Sequence, residues 1–180
     1  MQTARLGALR PGNQGDFDLL YQETYRSVFQ LCLAILRDPE AAQDCAQDAF
    51  VRAYRAWPRW HPDAPAQAWI YRIAVNAARS FRRRSLFRET PATLDGLPAQ
   101  QQDDSGDLLD ALRQLPRDDA AALVLRLHHG FSVPEAAHIL GVGERTVRHR
   151  VARGRERLAW VLGSAPVEYE QPAKVAVKST

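Results

Sequence analysis

Apolar residues in this chain recur at steps of three and four, and no stretch alternates apolar with polar side chains at the period a half-buried strand needs. Across residues 17–36, Leu20, Thr24, Val28, Leu31 and Ile35 form one such series. Tyr21, Tyr25, Phe29, Cys32 and Leu36 form a second, so the spacing predicts a long helix with a broad apolar face. Asp38-Pro39-Glu40 then reads as a helix start, with aspartate at the N-cap, proline at the first helical position and an acid in the first turn. That helix should run to about residue 57, where Pro58 ends it. Pro58, Pro62 and Pro65 stiffen the following loop. A third helix over about 67–84 places Trp69, Ile73 and Ala77 on its inward face, completing a small three-helix bundle.

Residues 90–107 carry Pro91, Gly96, Pro98, three glutamines and Gly106 with little apolar matter, which reads as an extended linker. Helicity returns at Leu108, Leu109, Leu112 and Leu115, breaks at Pro116, and resumes over about 118–129 before Gly130 closes it. Ser132 with Glu135 three residues on is a capping box for a short helix to about residue 140. A last helix is expected over about 143–162. The fold class is therefore all-α, with two small helical domains on a flexible acidic linker. The expected divisions are an arm at 1–15, a first domain at 16–89, a linker at 90–107, a second domain at 108–162 and a tail at 163–180.

A chain of 180 residues has room for one ordinary domain or two small ones. No stretch approaches the ~20 apolar residues of a membrane span, and the short apolar piece 6–9 beside Arg5 and Arg10 is not a secretory signal, so a cytoplasmic location is expected. Two cysteines cannot build a disulfide framework or a four-ligand zinc site. The net charge of +3 hides a strong partition. Residues 66–90 hold six arginines against Glu89, residues 144–157 hold six against Glu144 and Glu156, and residues 90–107 hold four aspartates and no base. Two basic segments around an acidic spacer suggest two places that meet a polyanion. The preference for arginine, 22 residues against Lys174 and Lys178, suits phosphates and guanine edges but is equally what a GC-rich genome encodes.

Three segments carry candidate chemistry. In 132–151, paired alanines, a turn glycine at 141 and Val142, Val147 and Val151 meet the needs of a helix-turn-helix. Its second helix spreads Arg145, Arg148, His149 and Arg153 over the outer side, which suits major-groove entry better than a merely solvated basic face. In 57–88, Trp57, Trp60 and Trp69 lie near Arg59, His61, Arg72, Asn76, Arg79 and the run 82–84. These residues serve equally as a stacking platform for melted strands or as a tryptophan-filled core with a solvated basic helix end. In 38–55, Glu40, Asp44 and Asp48 recur every four residues beside Gln47; a solvated acidic face is the default and a docking surface for a basic partner the sharper reading. Cys32 and Cys45 fall on apolar faces and read as core thiols. His128 and His129 are adjacent and so point apart. With no phosphate loop, nucleophile elbow or zinc signature, the sequence offers no catalytic residue, no metal set and no cofactor motif.

In this order the segments resemble a bacterial extracytoplasmic-function (ECF) sigma factor over about residues 17–162. Residues 38–50 (DPEAAQDCAQDAF) look like the family's D-P-E-x-A-E-D-x-x-Q-E-x-F, residues 68–76 (AWIYRIAVN) like A-W-L-x-x-I-A-x-N, and residues 141–151 (GVGERTVRHRV) like G-V-x-x-x-T-V-K-S-R-L. The departures are Gln43 for an acid, Ser80 for a frequent aspartate, His149 for serine, Val151 for leucine, and Gly154 for alanine at ~1 kcal/mol in helix propensity.

The resemblance implies a non-enzymatic, cofactor-free specificity subunit whose partners are core RNA polymerase (its beta and beta-prime subunits), promoter DNA and an anti-sigma factor, without membrane insertion. It implies polymerase docking through Asp44, Gln47 and Asp48. Minus-ten recognition would use the loop residues Arg59, Trp60, His61 and Asp63, which capture a flipped base, with Arg72, Asn76, Arg79 and Arg83 along the strand. Minus-thirty-five recognition would use Glu144, Arg145, Thr146, Arg148, His149, Arg150 and Arg153. The acidic linker would thread the polymerase channel, and the subunit would leave the core after initiation. The competing reading is a stand-alone helix-turn-helix regulator whose N-terminal bundle senses a ligand or dimerises; an enzyme with basic surfaces is a remote third.

Overall fold

The computed structural model describes residues 9–61, 65–87 and 114–161, and among these every regular element is helical. Helix α1 spans Gln14–Leu36 and α2 Pro39–Ala56, followed by a single 3₁₀ turn, Trp57–Arg59; α3 spans Ala66–Phe87. Helix α4, Arg117–Leu123, runs on without a break into a π-helical turn, Val124–His128; α5 spans Val133–Leu140 and α6 Glu144–Val161. The linker, residues 1–8 of the arm, the tail and the leucines at 108–112 lie outside the described residues.

Local sequence accounts for most boundaries. The Asn13 side chain caps α1 by accepting the Asp16 N–H at 3.0 Å. The helix stops where Arg37 turns left-handed (φ 65°) and donates its own N–H to Leu33 O at 2.8 Å. Asp38 then accepts the Ala41 N–H at 3.1 Å, with Pro39 opening α2 as expected. Helix α2 turns a stripe of small residues inward, Ala42, Ala46, Ala49 and Ala53, which lets it lie close against α1 and α3. Leu20, Val28, Leu31, Ile70 and Val75 are buried within the core of these three helices. Each such side chain contributes ~1.5–3 kcal/mol on burial.

Two expectations shift. The inward face of α3 is Ile70, Tyr71, Ala74, Val75 and Ala78, while Trp69 and Ile73 sit half-buried on its flank and Ala77 remains inside. Helix α4 is also not regular to its end: His129 N–H reaches back to Val124 O at 3.0 Å, one residue further than an α-helical bond. Gly130 (φ 71°) then reverses the chain, the capping box of Ser132 and Glu135 opens α5, and Gly141 (φ 62°) forms the turn into α6.

The two halves pack on each other. Helix α1 lies against α4 and α3 against α5, and their buried side chains form one continuous cluster. Tyr71 of α3 sits at the seam, its ring edge-on to His129 at 5.1 Å and Phe131 at 5.0 Å. Burial pushes its phenol up to about 12.

Candidate nucleic-acid and polymerase interfaces

Helix α6 is built so that one side must face the protein. Val147 is fully buried, Val151 half-buried, and Gly154 is buried against α4, where an added Cβ would meet Leu123 Cδ1 at 2.7 Å. The glycine read from sequence as a loss of helix propensity is thus what lets α6 cross α4 closely. The opposite side exposes Glu144, Arg145, Thr146, Arg148 and His149, with Arg148 held by Glu144 one turn earlier at 2.6 Å.

Arg153, expected on the outer side, and Arg150, assigned with it to the minus-thirty-five element, both pair with acids of α4. Arg150 donates to Asp118 at 2.7 Å, with its side chain only 16% exposed. Arg153 makes a two-pronged contact with Asp119, at 2.6 and 2.7 Å. Asp119 is fully buried, so the arginine fork is what compensates its charge. Both arginines therefore tie α6 to α4. The adjacent acids that hold them lie more than thirty positions away in sequence, beyond any local signal.

On α3, Arg72, Asn76, Arg79 and Arg83 follow at steps of four, three and four, which aligns them along one stripe. Asn76 and Arg83 are exposed, Arg83 donating to Ser80 at 3.3 Å. The other two face the second half. Arg72 donates to the His138 carbonyl at 3.0 Å, against the imidazole of the same residue. It thereby adds a second donor to a carbonyl near the C-terminal end of α5 that also accepts the Gly141 N–H at 3.3 Å, where a cation suits the helix dipole. Arg79 is half-buried beside the turn glycine Gly141, and burial pushes its guanidinium below its ordinary value, with Asp118 opposing. His138 had no signal in the sequence beyond its exposed position on a short helix.

The aromatic loop resolves into core and rim. Trp57 and Trp60 are both buried and stacked at 5.0 Å with 9° between planes, and the Trp57 indole donates to Asn13 O at 2.8 Å. Trp60, assigned with the loop to the minus-ten element, has its face covered by Trp57 in this arrangement. Arg59 and His61 are exposed beside it, and Asp63 lies outside the described residues.

On α2, Asp44 and Gln47 are exposed and Asp48 pairs with Arg52 at 2.6 Å. Beside them an open groove of about 250 Å³ is lined by Asp44, Cys45, Asp48 and Arg52 from α2 and Ala77, Phe81 and Arg84 from α3. Among the described residues no cluster of His, Cys, Asp and Glu could hold a metal ion, and no helix is long and apolar enough to cross a membrane.

Comparison with known proteins places these surfaces in a common frame. Residues 20–86 match sigma-70 region 2 and residues 105–158 match sigma-70 region 4. The chain is 35% identical over 162 residues to the ECF RNA polymerase sigma factor SigM of Mycobacterium tuberculosis strain H37Rv, covering 88% of this chain and 83% of that one. It is 30% identical over 169 residues to the ECF sigma-E factor of Escherichia coli K12, covering 83% and 88%. Among solved structures, the sigma factor RpoE of Bartonella quintana bound to the anti-sigma factor NepR superposes with a TM-score of 0.71 at 26% identity, over 82% of this chain and 97% of that one. CnrH bound to the cytosolic domain of CnrY superposes with a TM-score of 0.62 at 28% identity, over 84% and 90%.

Proposed function

The chain belongs to the ECF family of RNA polymerase sigma factors, and from that premise we propose how its surfaces divide the work of promoter recognition. As a sigma factor it binds core polymerase and directs transcription initiation at promoter DNA. Residues 16–89 act as the region-2-like unit and residues 108–162 as the region-4-like unit, with residues 90–107 the acidic connection that follows the polymerase channel. Helix α2 docks on the core through Asp44, Gln47 and Asp48. Helix α6 enters the major groove of the minus-thirty-five element with Arg145, Arg148 and His149 foremost and Glu144 and Thr146 beside them. The stripe Arg72, Asn76, Arg79 and Arg83, with the rim residues Arg59 and His61, follows the melted minus-ten strand.

The observation that carries this reading is the orientation of α6. Its apolar side is consumed by α4 and α5, and its base-capable side chains are left to solvent at the N-terminal end, the end a recognition helix presents to base edges. Opening the duplex needs no nucleotide hydrolysis on this account, because binding energy is released only by bases that have left the stack. The subunit is released after initiation and acts inside the cell, where its polymerase is. An anti-sigma factor is a further proposed partner, supported by the two neighbours solved with CnrY and NepR.

Charge reversal at the docking face tests the assignment. Asp48 is on the surface and its pair with Arg52 is worth ~0–1 kcal/mol, so Asp48→Arg should leave the helical fold and thermal melt nearly unchanged. Association with core polymerase should collapse. Unaltered binding would remove α2 from the interface.

A further inference from the structure

The chain's only two cysteines meet in the core of the first half. Cys32 comes from α1 and Cys45 from α2, both are free thiols, and their sulfurs lie 3.7 Å apart. Two thiols in contact are more than core filler when one of them also borders a polar opening. Cys45 does: it lines the groove formed with Asp44, Asp48, Arg52, Phe81 and Arg84, while Cys32 is wholly enclosed behind it. We propose that Cys32 and Cys45 form a reversible thiol–disulfide couple, oxidised by hydroperoxides entering through this groove, that transmits redox state to the docking face of α2.

Their surroundings differ in the way an attacking and a resolving thiol require. The Cys45 thiol is held below its ordinary value, first by the hydrogen bond from Cys32 and then by Arg52 and Arg84, against burial and Asp48. The Cys32 thiol is held up by that same hydrogen bond and by burial. Cys45 is the thiol that borders the groove, with Cys32 enclosed behind it, so Cys45 is the one a hydroperoxide meets and is the nucleophile. Its sulfur attacks a hydroperoxide oxygen; an S–O bond forms, the O–O bond breaks, and water or an alcohol leaves, giving the sulfenic acid. Cys32 then attacks that sulfur, the S–S bond forms, the S–O bond breaks and a second water leaves with the Cys32 proton. Two thiols have lost two electrons and two protons to one peroxide.

The mechanical link is short. To close the bond the sulfurs must move from 3.7 Å to about 2.05 Å, and Cys45 lies directly after Asp44 and three positions before Asp48. On this proposal α2 turns or slides on α1 as the bond closes, carrying both docking carboxylates and disturbing the Asp48–Arg52 pair. A disulfide inside a reducing compartment is transient by nature, which suits a sensor rather than a brace. The effect on docking rests on the polymerase-binding reading of α2; formation of the couple does not.

The experiment uses the full-length chain, reduced, freed of reductant and exposed to hydrogen peroxide. Intact mass should fall by two hydrogens, both thiols should resist alkylation, and dithiothreitol should restore them. Cys32→Ala should stop at a Cys45 sulfenic acid that dimedone traps, whereas Cys45→Ala should leave Cys32 slow to react. Persistence of both free thiols, oxidation only to sulfinic acid, or disulfides only between chains would overturn the couple, and these readouts on the unaltered chain hold even if a variant folds poorly. Oxidised chain should then bind core polymerase severalfold more weakly than reduced chain, and recover with dithiothreitol. Equal binding would overturn the transmission. Failure of the reduced chain to bind at all would instead count against the docking reading.

Discussion

Asp119 shows how little of a residue's role need lie in its own neighbourhood. It is fully buried on α4, and its charge is compensated by the fork of Arg153, which is itself 43% exposed. Asp119→Asn keeps the shape but removes the charge that both arginine nitrogens address. Because the arginine end reaches solvent, the expected cost is about 1–3 kcal/mol rather than the full value of a wholly buried pair. Denaturant unfolding measures it, and an unchanged midpoint would show the pair to be ornamental. Arg148 is the contrasting case. Its contact with Glu144 is exposed and worth only ~0.3–0.5 kcal/mol. Arg148→Ala should therefore leave stability nearly intact while weakening promoter binding by the holoenzyme by ~1–3 kcal/mol. A loss confined to promoters with one particular minus-thirty-five base marks a base contact; the same loss on every sequence marks a phosphate contact.

At the scale of elements, close packing and burial decide two properties. Gly154 lets α6 approach Leu123 and Leu115, and a branched side chain there has nowhere to go. Gly154→Val should destabilise the second half by about 1–3 kcal/mol through overpacking, seen as a lower unfolding midpoint, despite valine's better helix propensity. The π-helical turn after α4 sets His129 against Tyr71. Burial, with the neighbouring His128 adding to it, pushes the imidazole down to about 4 from 6.5. The unfolded chain takes up that proton near pH 6.5, whereas the folded chain resists it until about 4. Stability from the neutral ring is complete above pH 6.5 and is lost as pH falls through 4, by at most about 3 kcal/mol. His129→Phe should abolish that difference: equal pH dependence of unfolding in both proteins would contradict the burial of a neutral ring.

The same elements show what could be read from the chain and what could not. Capping is local, so Asp38-Pro39, the Ser132–Glu135 box and the left-handed glycines at 130 and 141 marked helix ends correctly. The inward face of α3 was read one position off, because its arginines and half-buried Trp69 blur the apolar stripe that periodicity depends on. The π turn leaves no periodic trace over five residues. Pairings such as Arg153 with Asp119 or Arg72 with His138 join distant segments, and only the folded chain brings them together.

Across the whole molecule, the net charge of +3 is a cancellation between segments of opposite sign: arginine-bearing α3 and α6 against an acidic stretch of α2 and an acidic connection. The packing of the two halves adds a condition to their use. Arg72 and Arg79, half of the proposed minus-ten stripe, are engaged with α5 and the turn before α6 in this arrangement. Under the proposed minus-ten role, a melted strand would replace the His138 carbonyl at Arg72, and α3 would have to separate from α5. That exchange would be polar for polar at Arg72, but it would also expose Tyr71 and Phe131.

The decisive assay for a promoter-specificity subunit is run-off transcription from a panel of bacterial promoters, with core polymerase and the full-length chain added separately and together. The account predicts discrete transcripts from a subset of promoters only when both are present, lost with Asp48→Arg and weakened with Arg148→Ala. Promoter DNA bound tightly and specifically by the chain alone, with no transcript gained on adding active core polymerase, would contradict it.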